Sequence, residues 1–214
     1  MIHIQQFTFN PFAENSYVLY DDTKSGVIVD PGCYEEHERQ QLKSFIEKEG
    51  IKVEKVINTH CHIDHVLGND WACRTFGVSL FIPEGEVPVL QSVPAYAGNY
   101  GFPQYQPAAV GGYIKPEESL TFGNASMEVL LVPGHSPGHL AFYAEEEGFC
   151  VGGDVLFQGS IGRTDLPGGN FDQLIRSIHT HFFALPDKTE VYCGHGPSTN
   201  IGFEKVHNPF CSIK

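Results

Sequence analysis

The stretch Ile57-Asn58-Thr59-His60-Cys61-His62-Ile63-Asp64-His65-Val66-Leu67-Gly68 decides how the rest of the chain is read. It sets three histidines and an aspartate within six positions, directly after a segment from Lys52 to Asn58 whose pattern predicts a strand. Imidazole and carboxylate suit zinc and similar divalent ions. At a strand end, alternation along the extended backbone points His60 and His62 to one side and Cys61 to the other. A helix predicted from about Asp64 to Phe76 then brings Asp64 and His65 in from a second direction. Four such close neighbours crowd a single tetrahedral centre, whereas two adjacent ions could share them.

Three later positions repeat the logic of a ligand-type residue beside glycine near a strand end. They are His135 in Val132-Pro-Gly-His135-Ser-Pro-Gly-His139, Asp154 in Val151-Gly-Gly-Asp154 and His195 in Tyr192-Cys-Gly-His195-Gly. Glycine there lets the backbone crowd a pocket and adopt positive φ. Any one of them alone reads as a buried, hydrogen-bonded side chain; together with the His60–His65 cluster they read as one metal centre. His3, His37, His179, His181 and His207 sit in ordinary strand or helix contexts and read as packing or surface residues. His139 shares the loop of His135 and reads as a hydrogen-bonding neighbour. Asp30 closes the apolar run Gly26 to Val29 before Pro31-Gly32, as a support for a ligand or as a turn former.

Working outward, the chain predicts strands at Ile2–Phe9, Tyr17–Tyr20 and Gly26–Val29, a helix over Glu35–Glu49 that stops at Gly50, and a short strand at Ser79–Ile82. After Lys115 come strands at Ser119–Phe122, Met127–Val132, Leu140–Tyr143 and Gly148–Gly152, a helix over Phe171–Phe182 and a strand near Glu190–Cys193. The halves echo each other: an apolar strand ends at an acid (Asp30, Asp154), a helix follows, and the next strand ends at a histidine (His60, His195). Strands flanked by helices in both halves predict an α/β fold of two packed sheets with helices outside. The segment from about 83 to 116 differs, being rich in proline, glycine and tyrosine (Tyr96, Tyr100, Tyr105, Tyr113), and reads as a functional loop or an excursion with short helices of its own.

At 214 residues the chain predicts one compact domain, 1–214. With 13 basic against 26 acidic residues its formal charge is -13, which repels a phosphate backbone and excludes nucleic acid as an expected partner. No export signal and no apolar run of about 20 residues is visible, so a cytoplasmic protein without membrane attachment is expected. The six cysteines include no Cys-x-x-Cys pair and are read as reduced thiols, Cys61 included. Nothing in the sequence bears on oligomeric state.

The His-x-His-x-Asp-His stretch, the Pro-Gly-His135 loop, the Gly-Gly-Asp154 and the Gly-His195 resemble the metallo-β-lactamase superfamily, in order along nearly the whole chain. Gly159-Ser-Ile-Gly-Arg163-Thr-Asp165, Cys193-Gly-His-Gly-Pro-Ser-Thr199 and Asn208-Pro-Phe210 resemble its glyoxalase II (hydroxyacylglutathione hydrolase) branch, especially the short single-domain members. The resemblance implies a four-layer αββα sandwich of two mixed β-sheets flanked by helices. It also implies two divalent metal ions, zinc first with iron or manganese as alternatives: His60, His62 and His135 on one, Asp64, His65 and His195 on the other, and Asp154 bridging. Asp30 matches an acid that supports the site from behind, and Asp64 would orient the attacking water.

The activity so implied is hydrolysis of a small-molecule thioester such as S-D-lactoylglutathione by a metal-bound hydroxide. Arg163, Lys205, Tyr96 and Tyr100 are candidates for binding a carboxylate-bearing thiol carrier, while Arg163 reads equally well as the partner of Asp165. Three other activities compete. Persulfide dioxygenases of the same superfamily hold one iron on the equivalents of His60, His135 and Asp154 and share a Gly-Arg-Thr-Asp stretch. Lactone or β-lactam hydrolysis is a second, and a non-catalytic metal-binding module a third.

Overall fold

The computed structural model describes residues 1–116 and 118–213. They form two compact units, one of residues 1–114 with 121–126 and one of residues 115–116, 118–120 and 127–213.

The first unit is built on a sheet whose spatial order follows the chain: β1 (Ile2–Phe9), β2 (Glu14–Asp21), β3 (Ser25–Val29), β4 (Lys52–Ile57), β5 (Leu80–Pro83) and β6 (Val110–Ile114). The first three strands are antiparallel neighbours, and β3 to β6 run parallel. Parallel pairs need crossovers, which α1 (Glu36–Glu49), α2 (Ile63–Val66), α3 (Asn69–Phe76) and α4 (Val87–Tyr96) supply. Helix α1 follows its sequence signals. Glu35 and Glu38 close a capping box, Leu42 and Ile46 enter the core, and Gly50 ends the helix at φ 68°.

Where one helix is expected from about Asp64 to Phe76, the chain breaks at Leu67-Gly68. The Gly68 N–H donates to the Pro31 carbonyl at 2.7 Å, and a Cβ on Gly68 would stand 2.6 Å from Cys33 Sγ. The break seats α2 against the Asp30-Pro31-Gly32 turn and aims Asp64 and His65 separately from α3. The 83–116 excursion is ordered as 3-10 turns at Glu84–Glu86 and Ala97–Tyr100 around α4, then β6.

A second sheet runs in the order β14-β13-β10-β9-β8-β7, from β7 (Leu120–Phe122), β8 (Ala125–Leu131), β9 (Leu140–Ala144), β10 (Phe149–Gly153), β13 (Glu190–Cys193) and β14 (Thr199–Asn200), the last four lying wholly in the second unit. Between β10 and β13 lie a two-stranded hairpin, β11 (Leu156–Phe157) with β12 (Ser160–Ile161), and helix α5 (Phe171–Ser177), which widens into a π-turn over Ile178–Phe182. Helix α6 (Ile201–His207) follows β14. The hairpin, β14 and α6 are too short to leave a periodic trace, so the sequence reading misses them.

Each unit repeats one motif. An antiparallel pair (β2–β3, β9–β10) is followed by a parallel one (β3–β4, β10–β13). The parallel pairs are closed in register by Asp30 N–H to the Ile57 carbonyl, 2.9 Å, and by Gly194 N–H to the Gly153 carbonyl, 2.8 Å. Every ligand-type residue singled out above lies just beyond the C-terminal end of β4, β8, β10 or β13, where open α/β sheets present their sites. No helix among the described residues is long and apolar enough to cross a membrane.

Candidate metal centre

In the first unit Asp30 is the hub. It sits at φ 48°, a left-handed conformation that costs a non-glycine residue about 1 kcal/mol, and what holds it there is its carboxylate. Asp30 Oδ1 accepts the Thr59 N–H at 2.7 Å and Asn58 Nδ2 at 3.3 Å; Oδ2 accepts the Thr59 hydroxyl at 2.6 Å and lies 3.1 Å from His65 Nδ1. A carboxylate only accepts, so His65 carries its proton on Nδ1 and keeps Nε2 as a lone-pair donor. The Thr59 hydroxyl donates to Asp30 and so can only accept from His60 Nδ1, 3.0 Å away, which leaves His60 Nε2 in the same state. Asp30, His60 and His65 each bring a ligand atom within 4.8 Å of the others. His62 stands edge-on to His60 with ring centroids 4.8 Å apart, and Asp64 Oδ2 lies 3.7 Å from His65 Nε2.

Three further side chains of this unit support the cluster and escaped the sequence reading. Glu14 is fully buried with its Oε1 3.7 Å from His65 Nδ1, and burial pushes its carboxyl well above the ordinary range, against the pull of His65. Glu86, also fully buried, accepts the Cys61 N–H at 2.9 Å and so fixes the turn between His60 and His62. Asn10 donates through Nδ2 to the carbonyls of Gly32, 3.1 Å, and Asp64, 3.0 Å. Buried carboxylates this far away in sequence carry no local pattern; only Asn10 had one, as a turn former. Cys61 is buried among them. Burial, then Glu86 and Asp30, drive its thiol well above the ordinary value, so it is no nucleophile.

In the second unit Asp154 is the meeting point: its Oδ2 lies 3.6 Å from His135 Nε2 and 3.4 Å from His195 Nε2. His135 Nδ1 donates to the Arg163 carbonyl at 2.8 Å, so this ring too turns a lone-pair Nε2 toward the acid. His139 Nε2 accepts the Asp154 N–H at 3.0 Å and thereby positions the acid. Gly162 packs its Cα against the Asp154 carbonyl, where a Cβ has no room.

The donor set therefore fits divalent metal ions: in three rings Nδ1 is anchored by oxygen and Nε2 is basic, the arrangement in which metal-binding histidines are held.

The four residues expected to bind substrate are placed as follows. Tyr96 is half-buried, its hydroxyl pushed up to about 12 by burial against the opposing bond from Ser92, and it packs on Tyr100 with centroids 5.5 Å apart. Tyr100 is exposed and continues onto Phe12. The Arg163 guanidinium grips Asp165 through two bonds of 2.7 Å and holds that carboxyl down at about 2. Lys205 Nζ bonds Asp187 Oδ1 at 2.6 Å.

A chain with these clusters of histidine and carboxylate at strand ends is of the metallo-hydrolase class. Residues 9–195 match the profile of the metallo-β-lactamase superfamily, which spans both units, and the chain belongs to that superfamily. Its fold is the metallo-β-lactamase fold, two mixed sheets with flanking helices.

Hydroxyacylglutathione hydrolase GloC of Haemophilus influenzae is 35% identical over 215 residues, covering 100% of each chain. Among solved structures, BLEG-1, a B3 metallo-β-lactamase, is 37% identical with a TM-score of 0.86, over 99% of this chain and 100% of that one. TTHA1623, solved in a di-iron-bound form, is 32% identical with a TM-score of 0.84, over 96% and 99%.

Proposed function

We propose that the protein is a binuclear metal-dependent thioesterase acting on S-D-lactoylglutathione or a close relative, with zinc, iron or manganese on His60, His62 and His135, on Asp64, His65 and His195, and on the shared Asp154. The observation that carries this reading is the common state of His60, His65 and His135, each anchored at Nδ1 and basic at Nε2. Bound divalent ions there supply water activated at neutral pH and a Lewis acid for a carbonyl oxygen.

The chain's own residues do the rest. Asp64, partly open to solvent, accepts a hydrogen bond from the attacking water and orients it toward the acyl carbon. The departing thiol, with a pKa of ~8.5, leaves as thiolate without a strong acid beside it. Tyr96 keeps its phenol proton at neutral pH and, with Tyr100, offers the substrate an aromatic wall. Recruiting Arg163 to a substrate carboxylate costs it Asp165, an exposed pair that water screens and that holds the guanidinium only weakly.

The test is thiol release from S-D-lactoylglutathione by the metal-loaded protein, beside its Asp64→Asn variant, with oxygen uptake on glutathione persulfide measured in parallel. Turnover that falls by roughly a hundredfold or more in the variant supports the proposal. Oxygen uptake with sulfite formation and no thioester cleavage would replace it with the dioxygenase reading.

A further inference from the structure

We propose that Glu204 and Asn208, at the end of the chain, are positioning residues for the metal ligands His135 and Asp154, and act on them through the β11–β12 hairpin. The proposal rests on reading His135 and Asp154 as ligands.

The hairpin is the link. It starts two residues after Asp154, at Leu156, and ends two residues before Arg163, at Ile161. At its feet, Gly162 donates to the Val155 carbonyl at 3.1 Å and packs on the Asp154 carbonyl, and the Arg163 carbonyl accepts the His135 Nδ1 hydrogen bond at 2.8 Å. At its tip, the Gly159 N–H points at both Glu204 carboxylate oxygens, 3.1 Å from each, and Asn208 Nδ2 donates to the Ser160 carbonyl at 3.0 Å. Asn208 also donates to Glu204 Oε2 at 2.6 Å, and the Thr199 hydroxyl donates to Oε1 at 2.5 Å. Two residues per strand cannot hold a hairpin's geometry unaided. The tip is therefore set by a fully buried carboxylate that accepts from donors on three separate segments, Gly159, Thr199 and Asn208. What fixes the tip fixes the feet, and the feet orient one ligand ring and crowd the backbone of the ligand beside it.

This gives the Asn208-Pro209-Phe210 motif a role: Asn208 is the second jaw of the clamp. Glu204→Gln tests it with little change of shape, since the new amide must turn a donor toward one of the three donors already there.

The experiment uses full-length protein stripped of metal, titrated with zinc against a chromophoric chelator and with cobalt(II) for its visible spectrum. Wild type is compared with Glu204→Gln, Glu204→Asp and Leu185→Ala, the last a truncation in the second unit's core at a position outside the hairpin and outside the Glu204–Asn208 hydrogen bonds. The clamp predicts that Glu204→Gln weakens zinc binding by roughly tenfold and shifts the cobalt band. Glu204→Asp, which keeps the charge and both acceptors, should recover most of that loss. Leu185→Ala should melt earlier with zinc affinity and cobalt spectrum unchanged.

Wild-type affinity and spectrum in Glu204→Gln overturn the clamp, as does Leu185→Ala reproducing the loss. If Glu204→Gln does not fold, Asn208→Ala is read in its place, and wild-type metal binding there overturns the clamp. A wild-type chain that takes up no zinc or cobalt overturns the metal reading itself, and the clamp with it, in an arm separate from the variants.

Discussion

Asp30 carries more of the site than any ligand does. It occupies a left-handed backbone conformation, joins β3 to the Asn58-Thr59 turn after β4, and sets the proton positions of His65 directly and of His60 through Thr59. Support of this kind is worth 10–100-fold in metal affinity where it has been removed from other sites. Asp30→Asn should therefore weaken metal binding by roughly tenfold or more, because an amide nitrogen facing His65 Nδ1 or Thr59 reverses one of the two relays. Thr59→Val should weaken it less, since the direct bond to His65 survives. Metal competition titrations on both variants check the order, and equal losses would contradict the relay. Asp30 was legible as an acid at a strand end. Glu14 and Glu86 were not, because a carboxylate that reaches the site from 25 or more residues away looks like any surface acid until its burial is seen.

Among the elements, α1 was legible to within a residue because its cap, apolar stripe and terminal glycine all agree. The cap also reaches beyond the helix. Glu38 accepts the N–H groups of Asn10 at 2.6 Å, Tyr34 at 2.8 Å and Glu35 at 2.9 Å, so the helix start anchors the β1–β2 turn whose Asn10 holds the Asp64 carbonyl. Glu38→Ala should cost about 3 kcal/mol of stability, the scale expected when donors lose a charged acceptor. Urea unfolding monitored by circular dichroism measures it, and a loss under about 1 kcal/mol would show that the anchor is replaceable by water. The break between α2 and α3 was illegible for a different reason. Gly68 fits a helical pattern, and only the packing of Pro31 and Cys33 against it demands an interruption. Likewise α6 is seven residues long, and its meaning lies in the inward-facing Glu204 and in Asn208 just after it, which no periodicity reveals.

At the scale of the molecule, the repeated strand pattern was visible in the sequence as two acids and two histidines ending apolar runs. The structure gives it physical form as two units with the same antiparallel-then-parallel motif. Both units place their ligand-type residues beyond strand ends, and the superfamily match runs through both. The proposed function requires two ions per chain. Elemental analysis of the purified protein after zinc loading and desalting tests it most directly, with Asp154→Ala alongside. About two zinc ions are expected per wild-type chain and fewer than about one in the variant, because a ligand shared as proposed would serve both positions. One ion or none in the wild type, or two retained without Asp154, would contradict it.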